Sequence, residues 1–119
     1  MTEMVLWSHV NGNGRLFGGQ LMSWMDIAGG ICAKRHAGFE VVTASAQHLE
    51  FHRPAKPNDV IVITAEVASV GNTSMKVDIT AEVEDYHNGG SRTMTCSAEF
   101  IYVAIDKDGV KHTVPRLED

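Results

Sequence analysis

A chain of 119 residues can bury one hydrophobic core but not two domains of ordinary size, so a single unit over residues 1–119 is expected. Its formal net charge of −5 argues against a nucleic-acid or anionic-membrane binder, which needs a basic face, and no apolar run approaches the roughly 20 residues of a bilayer-spanning helix. Two cysteines among apolar neighbours, without a signal-like N-terminus, point to a reducing, cytoplasmic setting.

Residues 3–9, EMVLWSH, read as a short edge strand. The loop NGNG follows, where Asn-Gly occurs twice, a strong turn signal. Gly19–His36 is predicted to be a helix: Leu21, Met25, Ala28 and Cys32 recur at i, i+4, i+7 and i+11, and Met22, Ile27, Ile31 and Ala33 widen the band. So apolar a helix is expected to be largely buried. Lys34, Arg35 and His36 suit the negative end of its dipole, and Gly38 suits its stop. Asp26 is the only acid within it.

From residue 40 the period changes to two. Val41–His52, Asp59–Val70, Thr73–Asp85 and Thr93–Ile105 are strand candidates rich in Val, Ile, Thr and Ala. The third alternates cleanly, with Met75, Val77, Ile79, Ala81 and Val83 on one face and Ser74, Lys76, Asp78, Thr80 and Glu82 on the other. Breaks fall at Pro54–Asp59, at a tight Gly71-Asn72 turn and around Gly89-Gly90. Such short links imply antiparallel neighbours. Asp106–Gly109 is a terminal turn, and the last ten residues read as a polar tail. One apolar helix before four long strands gives an α+β fold, a five-stranded antiparallel sheet wrapped around a long central helix. Its open sheet edges favour a homo-oligomer.

Asp26 is the first candidate, because a carboxylate on a buried helix must be paired or face a wet cavity or interface. Gly18 and Gly19 leave the first-turn N–H groups of the helix bare, so a substrate carbonyl can approach them. Asp26 would then act as general base toward water or as nucleophile. Asn11 and Asn13 suit a turn, although a side-chain amide can also orient water or polarise a carbonyl. Cys32 and His36 share a helix face but read as a small hydrophobe beside a terminal histidine. His48, Glu50 and His52 alternate on one strand, a row able to share a metal but one that reads first as a solvated face. Gly71–Ser74 offers free N–H groups and hydroxyls, and Arg53–Lys56 a basic loop; either suits phosphates or is a generic turn.

The blocks NGNGRLFGGQLMSWMDIAGGICAKRHA, VVTASAQHLEFHRP, GNTSMKVDI and VPRL resemble the hotdog-fold acyl-CoA thioesterases, most closely the YciA-like single-domain acyl-CoA hydrolases. The resemblance runs from about Val10 to Leu117 and is most specific in the first block. It implies that Asp26 is the catalytic carboxylate, that Asn11 positions water or the thioester carbonyl, and that the Gly19 N–H is the oxyanion donor after the Phe17-Gly18-Gly19 motif. It implies further that the asparagine and the acid of one site come from different subunits. The Gly-x-Thr-Ser turn maps onto Gly71, Thr73 and Ser74 and the Arg-Pro pair onto Arg53 and Pro54, all near coenzyme A. Departures are His9, where relatives vary among polar residues, and the bulky Trp24, placed to shape the acyl tunnel.

The implied reaction is hydrolysis of acyl-CoA to a free acid and coenzyme A. It needs no metal and no cofactor, coenzyme A being part of substrate and product. The partners implied are an acyl-CoA and further copies of the chain, as a homodimer or a hexamer built as a trimer of dimers, with no nucleic acid and no membrane. Two rivals stand beside it: a hydratase or dehydratase of enoyl or hydroxyacyl thioesters, with His9 as partner to the acid, and a non-catalytic acyl-CoA-binding module.

Overall fold

The computed structural model describes residues 1–117. Gly18–Ala37 form α1, twenty residues long, or about 30 Å of helix. It begins after Phe17 in extended conformation and ends at Gly38, whose φ of 74° is left-handed and whose N–H donates to Lys34 O at 2.8 Å. Around it curls an antiparallel sheet of β1 (Thr2–Met4), β2 (Glu40–Phe51), β3 (Val60–Val70), β4 (Ser74–Asp85) and β5 (Ser91–Ile105), in the order β1-β3-β4-β5-β2. This is the hotdog fold.

The alternation expected of β4 holds: Met75, Val77, Ile79 and Ala81 are buried, as are Phe100 and Tyr102 of β5, and they meet Leu21, Trp24, Met25 and Ala28 of α1 in one core. At Gly29 the sheet approaches so closely that an added Cβ would overlap the Tyr102 hydroxyl and the Ile79 Cδ1. Gly29→Ala is therefore expected to destabilise the fold by about 1–3 kcal/mol despite alanine's better helix propensity. Urea denaturation reads that loss as a lower midpoint.

Several expectations need correction. The helix is not buried all round: Ile27 is 51% and Ile31 41% exposed, because the sheet covers one side and the apolar set is wider than that side. Residues 3–9 are not one strand. Val5 turns into the core, its N–H donating to Asp59 O, and Trp7–His9 then form a 3-10 turn closed by the Leu6 N–H donating to His9 Nδ1. Nor are β2 and β3 neighbours despite their short link. They lie three strand positions apart, about 14 Å, a gap that residues 52–59 bridge easily. The link is anchored midway by the Leu16 N–H donating to Ala55 O at 2.7 Å.

The β3–β4 turn is shifted by one residue. The Gly71 N–H donates to Ser74 O at 2.9 Å, which leaves Asn72 and Thr73 at its centre. The tail docks through the His112 N–H on Ala104 O and the Val114 N–H on Asn72 O; its last two residues lie outside the described ones. Cys96 is fully buried, and burial pushes its thiol up to about 11. Alkylation at pH 8 is expected to spare Cys96 in the folded protein and modify it once urea unfolds the chain, as peptide mass spectrometry would report.

Candidate active site

Asp26 stands half-buried at the border between the covered and open sides of α1. The Thr43 hydroxyl donates to its Oδ1 at 2.8 Å. The Tyr102 hydroxyl reaches the same Oδ1 at 3.0 Å and the Asp26 carbonyl oxygen at 2.9 Å, sharing one proton between them. Thr43 and Tyr102 face each other across the β2–β5 pairing, so the sheet delivers both donors to one point of the helix. Among the described residues both side-chain bonds fall on Oδ1, which leaves Oδ2 without one. Burial and the bond to Asp26 push the Tyr102 phenol far above its ordinary range, so it remains a donor throughout neutral pH. These groups border an open groove of about 290 Å³, with Gly30 on its floor and Lys34 and Glu40 paired at 3.2 Å on its rim.

Asn11 belongs to a second groove, of about 340 Å³, shared with Arg15, Gly18, Phe51, His52, Arg53 and Pro54. Its Oδ1 accepts the N–H groups of Asn13 at 2.9 Å and Arg15 at 3.3 Å, so the side chain shapes the turn and its amide NH2 stays available as a donor. The Gly18 and Gly19 N–H groups open α1 and, among the described residues, have no protein acceptor. A Cβ on Gly19 would run into the Phe17 ring.

The two grooves share no residue. Gly19 and Asp26 are seven residues apart, about 10 Å along the axis, and one chain does not place both around a common groove. The Gly71–Ser74 turn and Arg53 flank opposite ends of β3, about 36 Å apart for its eleven residues, so the basic loop is not near that turn within one chain. Ser74 pairs with Val103, the residue after Tyr102, which sets the turn at the Asp26 end of the sheet.

The remaining candidates part company. His9 Nδ1 accepts the Leu6 N–H, and its ring meets Trp24 edge-on at 4.9 Å; it does not border the Asp26 groove. Trp24 is a core residue, 6% exposed. The Cys32 thiol donates to Ala65 O at 3.6 Å, while His36 Nε2 lies 2.8 Å from Pro115 O, so the two do not pair. A β-bulge between Gln47 and Glu50 gives His48 a φ of 53°; His48 Nε2 lies 3.5 Å from Glu99, while His52 Nε2 stays 3.8 Å from Glu50. Among the described residues no three such side chains gather to hold a metal.

Thr43 and Tyr102 carry no signal of this role in the sequence. Each looks like a routine strand residue, and nothing local reveals that the register between β2 and β5 points both hydroxyls at residue 26.

The sequence profile of the thioesterase superfamily matches residues 13–89. The acyl-CoA thioester hydrolase YciA of Salmonella typhimurium is 40% identical over 107 residues, covering 88% of this chain and 80% of that protein. The structure of the hexameric thioesterase of Yersinia pestis superposes with a TM-score of 0.90 at 33% identity, over 97% of this chain and 93% of the other. The acyl-CoA hydrolase of Staphylococcus aureus, solved with butyryl coenzyme A, coenzyme A and coenzyme A disulfide, superposes with a TM-score of 0.95 at 31% identity, over 100% and 73%. A hotdog sheet around α1, together with a thioesterase profile and identities at this level over nearly the whole chain, places the protein in the thioesterase superfamily, among the YciA-like acyl-CoA hydrolases.

Proposed function

We infer that the chain hydrolyses acyl-CoA thioesters to a free carboxylic acid and coenzyme A. The observation that carries this reading is the Asp26 carboxylate, anchored through Oδ1 beside an open groove, with no side-chain bond to Oδ2 among the described residues. Oδ2 takes a proton from water, and the water oxygen attacks the thioester carbonyl carbon. The Gly19 N–H and the Asn11 amide receive the negative charge that develops on the carbonyl oxygen. When the tetrahedral intermediate collapses, the carbon–sulfur bond breaks, and the leaving sulfur takes the proton held on Oδ2, which releases coenzyme A and restores the carboxylate. Direct attack by Oδ2 would instead form a mixed anhydride. Single-turnover hydrolysis in 18O-water tests this route: label in the Asp26 carboxylate shows an anhydride opened at the aspartyl carbonyl, since general-base catalysis leaves none there.

The working site is composite, with Asp26 from one subunit and Asn11, Phe17, Gly18 and Gly19 from its partner. The placing of Asp26 in one groove and of Asn11 and Gly18 in another supports this. So does the apolar surface left uncovered beside them: Phe17 58%, Ile27 51%, Val42 45% and Phe51 57% exposed. β2, an edge strand of twelve residues, can extend the sheet into a second copy. Homodimers further assembled as a trimer of dimers fit the hexamer of the Yersinia pestis relative.

Arg53, beside Pro54 in the Asn11 groove, holds coenzyme A phosphate, as do the Thr73 and Ser74 hydroxyls of the turn that begins at Gly71. Arg53→Ala is expected to raise KM for acyl-CoA several-fold with kcat nearly unchanged, and to weaken its salt dependence. Steady-state assays at two ionic strengths measure both. The reaction itself is tested by incubating the protein with saturated acyl-CoAs and a thiol reagent. Steady thiol release supports hydrolysis, and turnover of enoyl-CoA alone would sink it in favour of a hydratase.

A further inference from the structure

On the reading that Asp26 is the working carboxylate, we propose that Tyr102 is its positioning residue: the buried hydroxyl, seated in the notch left by Gly29, anchors Oδ1 and holds Oδ2 toward the open groove. A phenol at this place is not required for packing. Phe100, two residues earlier on the same face of β5, is buried as deeply and stacks beside Tyr102 with no hydroxyl at all. A hydroxyl taken into the core must find a partner, and here it finds the catalytic residue twice, at the carbonyl oxygen and at Oδ1.

Thr43 is the other anchor, on edge strand β2, whereas Tyr102 comes from interior strand β5 and is 1% exposed. A carboxylate with one anchor can still swing about its final torsion. Two donors converging on Oδ1 from neighbouring strands define which oxygen faces the substrate. Gly29, three residues after Asp26 and so on a neighbouring part of the helix surface, makes this reach possible, since any Cβ there would occupy the place of the hydroxyl. The other ionisable groups close to the pair are Lys34 and Glu40, bound to each other across the groove, and the Cys32 thiol behind Tyr102.

Tyr102→Phe keeps the ring and removes only the donor. With Thr43 intact, kcat on acyl-CoA is expected to fall about ten- to hundredfold, the scale of a hydrogen bond to a charged group, with KM within about twofold of wild type. A loss confined to kcat, with KM and the melting temperature held, marks a positioning role, whereas lost packing would lower the melting temperature as well. Wild-type kcat in Tyr102→Phe overturns the proposal. Asp26→Ala run in parallel keeps the two claims apart: if it retains full activity, the role of Asp26 fails first, and if it is inactive while Tyr102→Phe is normal, only the role of Tyr102 fails. Gly29→Ala adds a geometric check. In the Y102F background its methyl takes the space vacated by the hydroxyl, so Y102F/G29A is expected to melt higher than Gly29→Ala alone while kcat stays low. A double variant that is no more stable than Gly29→Ala would contradict the notch.

Discussion

Replacing Asp26 by alanine is expected to lower kcat by about three orders of magnitude, the usual scale for losing a general base, while affinity for coenzyme A stays close to wild type. The two quantities separate because, among the described residues, the Asp26 side chain makes no hydrogen bond outside its own groove. Its side chain accepts bonds from Thr43 and Tyr102 and meets neither Arg53 nor the Gly71–Ser74 turn. Thiol release under saturating substrate measures the first quantity, and calorimetric titration with coenzyme A the second. An Asp26→Ala protein that binds and hydrolyses normally would leave the chain a hotdog protein without the proposed chemistry. One that binds but does not hydrolyse also excludes the non-catalytic module, because the wild type then turns over what the variant merely holds. Asp26→Asn sharpens the test, since it keeps an acceptor for the two hydroxyls and removes only the basic oxygen.

Mixing two inactive proteins is expected to restore activity. Asp26→Ala lacks the acid, and Gly19→Ala lacks a clear helix start because the new Cβ strikes the Phe17 ring. If each site takes its acid from one subunit and its helix N-terminus from the other, a mixed dimer holds one site with both parts intact and one site with neither. Random re-association of equal amounts makes half the dimers mixed, which gives about one quarter of wild-type activity for an isologous pair. Denaturing the two variants together, refolding them and assaying the mixture against each variant refolded alone measures this. Recovery no greater than the sum of the separate controls would show that every site is built from one chain, against the partition of residues between the two grooves.

Both tests turn on residues that the sequence exposes to different degrees. Asp26 is legible because an acid alone on an apolar helix is costly unless it has a use, and the glycines before that helix mark an approach to its N-terminus. The H-x-E-x-H row shows the opposite case. Read with strict alternation it suggests one shared ligand set, but at the bulge His48 pairs with Glu99 while Glu50 stays beside His52, and no three such groups gather among the described residues. Bulges leave no dependable local trace, because one extra residue changes the direction of every side chain beyond it. The same limit hid Thr43. Its direction depends on pairing with Tyr102 across β5, some sixty residues later in the chain.

The sequence by itself determined the secondary-structure period, and with it α1, the four long strands, the buried face of β4 and the lone acid on the helix. These follow from short-range rules: apolar spacing, Gly at a left-handed helix end, and alternation along a strand. Only the tertiary structure decided the strand order that separates β2 from β3, the strip of α1 left open around Ile27 and Ile31, the pairing of Thr43 and Tyr102 on one oxygen of Asp26, and the separation of Asn11 from Asp26 into two grooves. Each of these depends on which distant segments meet and in what register. Local propensity is nearly silent on that choice, because the chain makes it by burying one face of a helix against one face of a sheet.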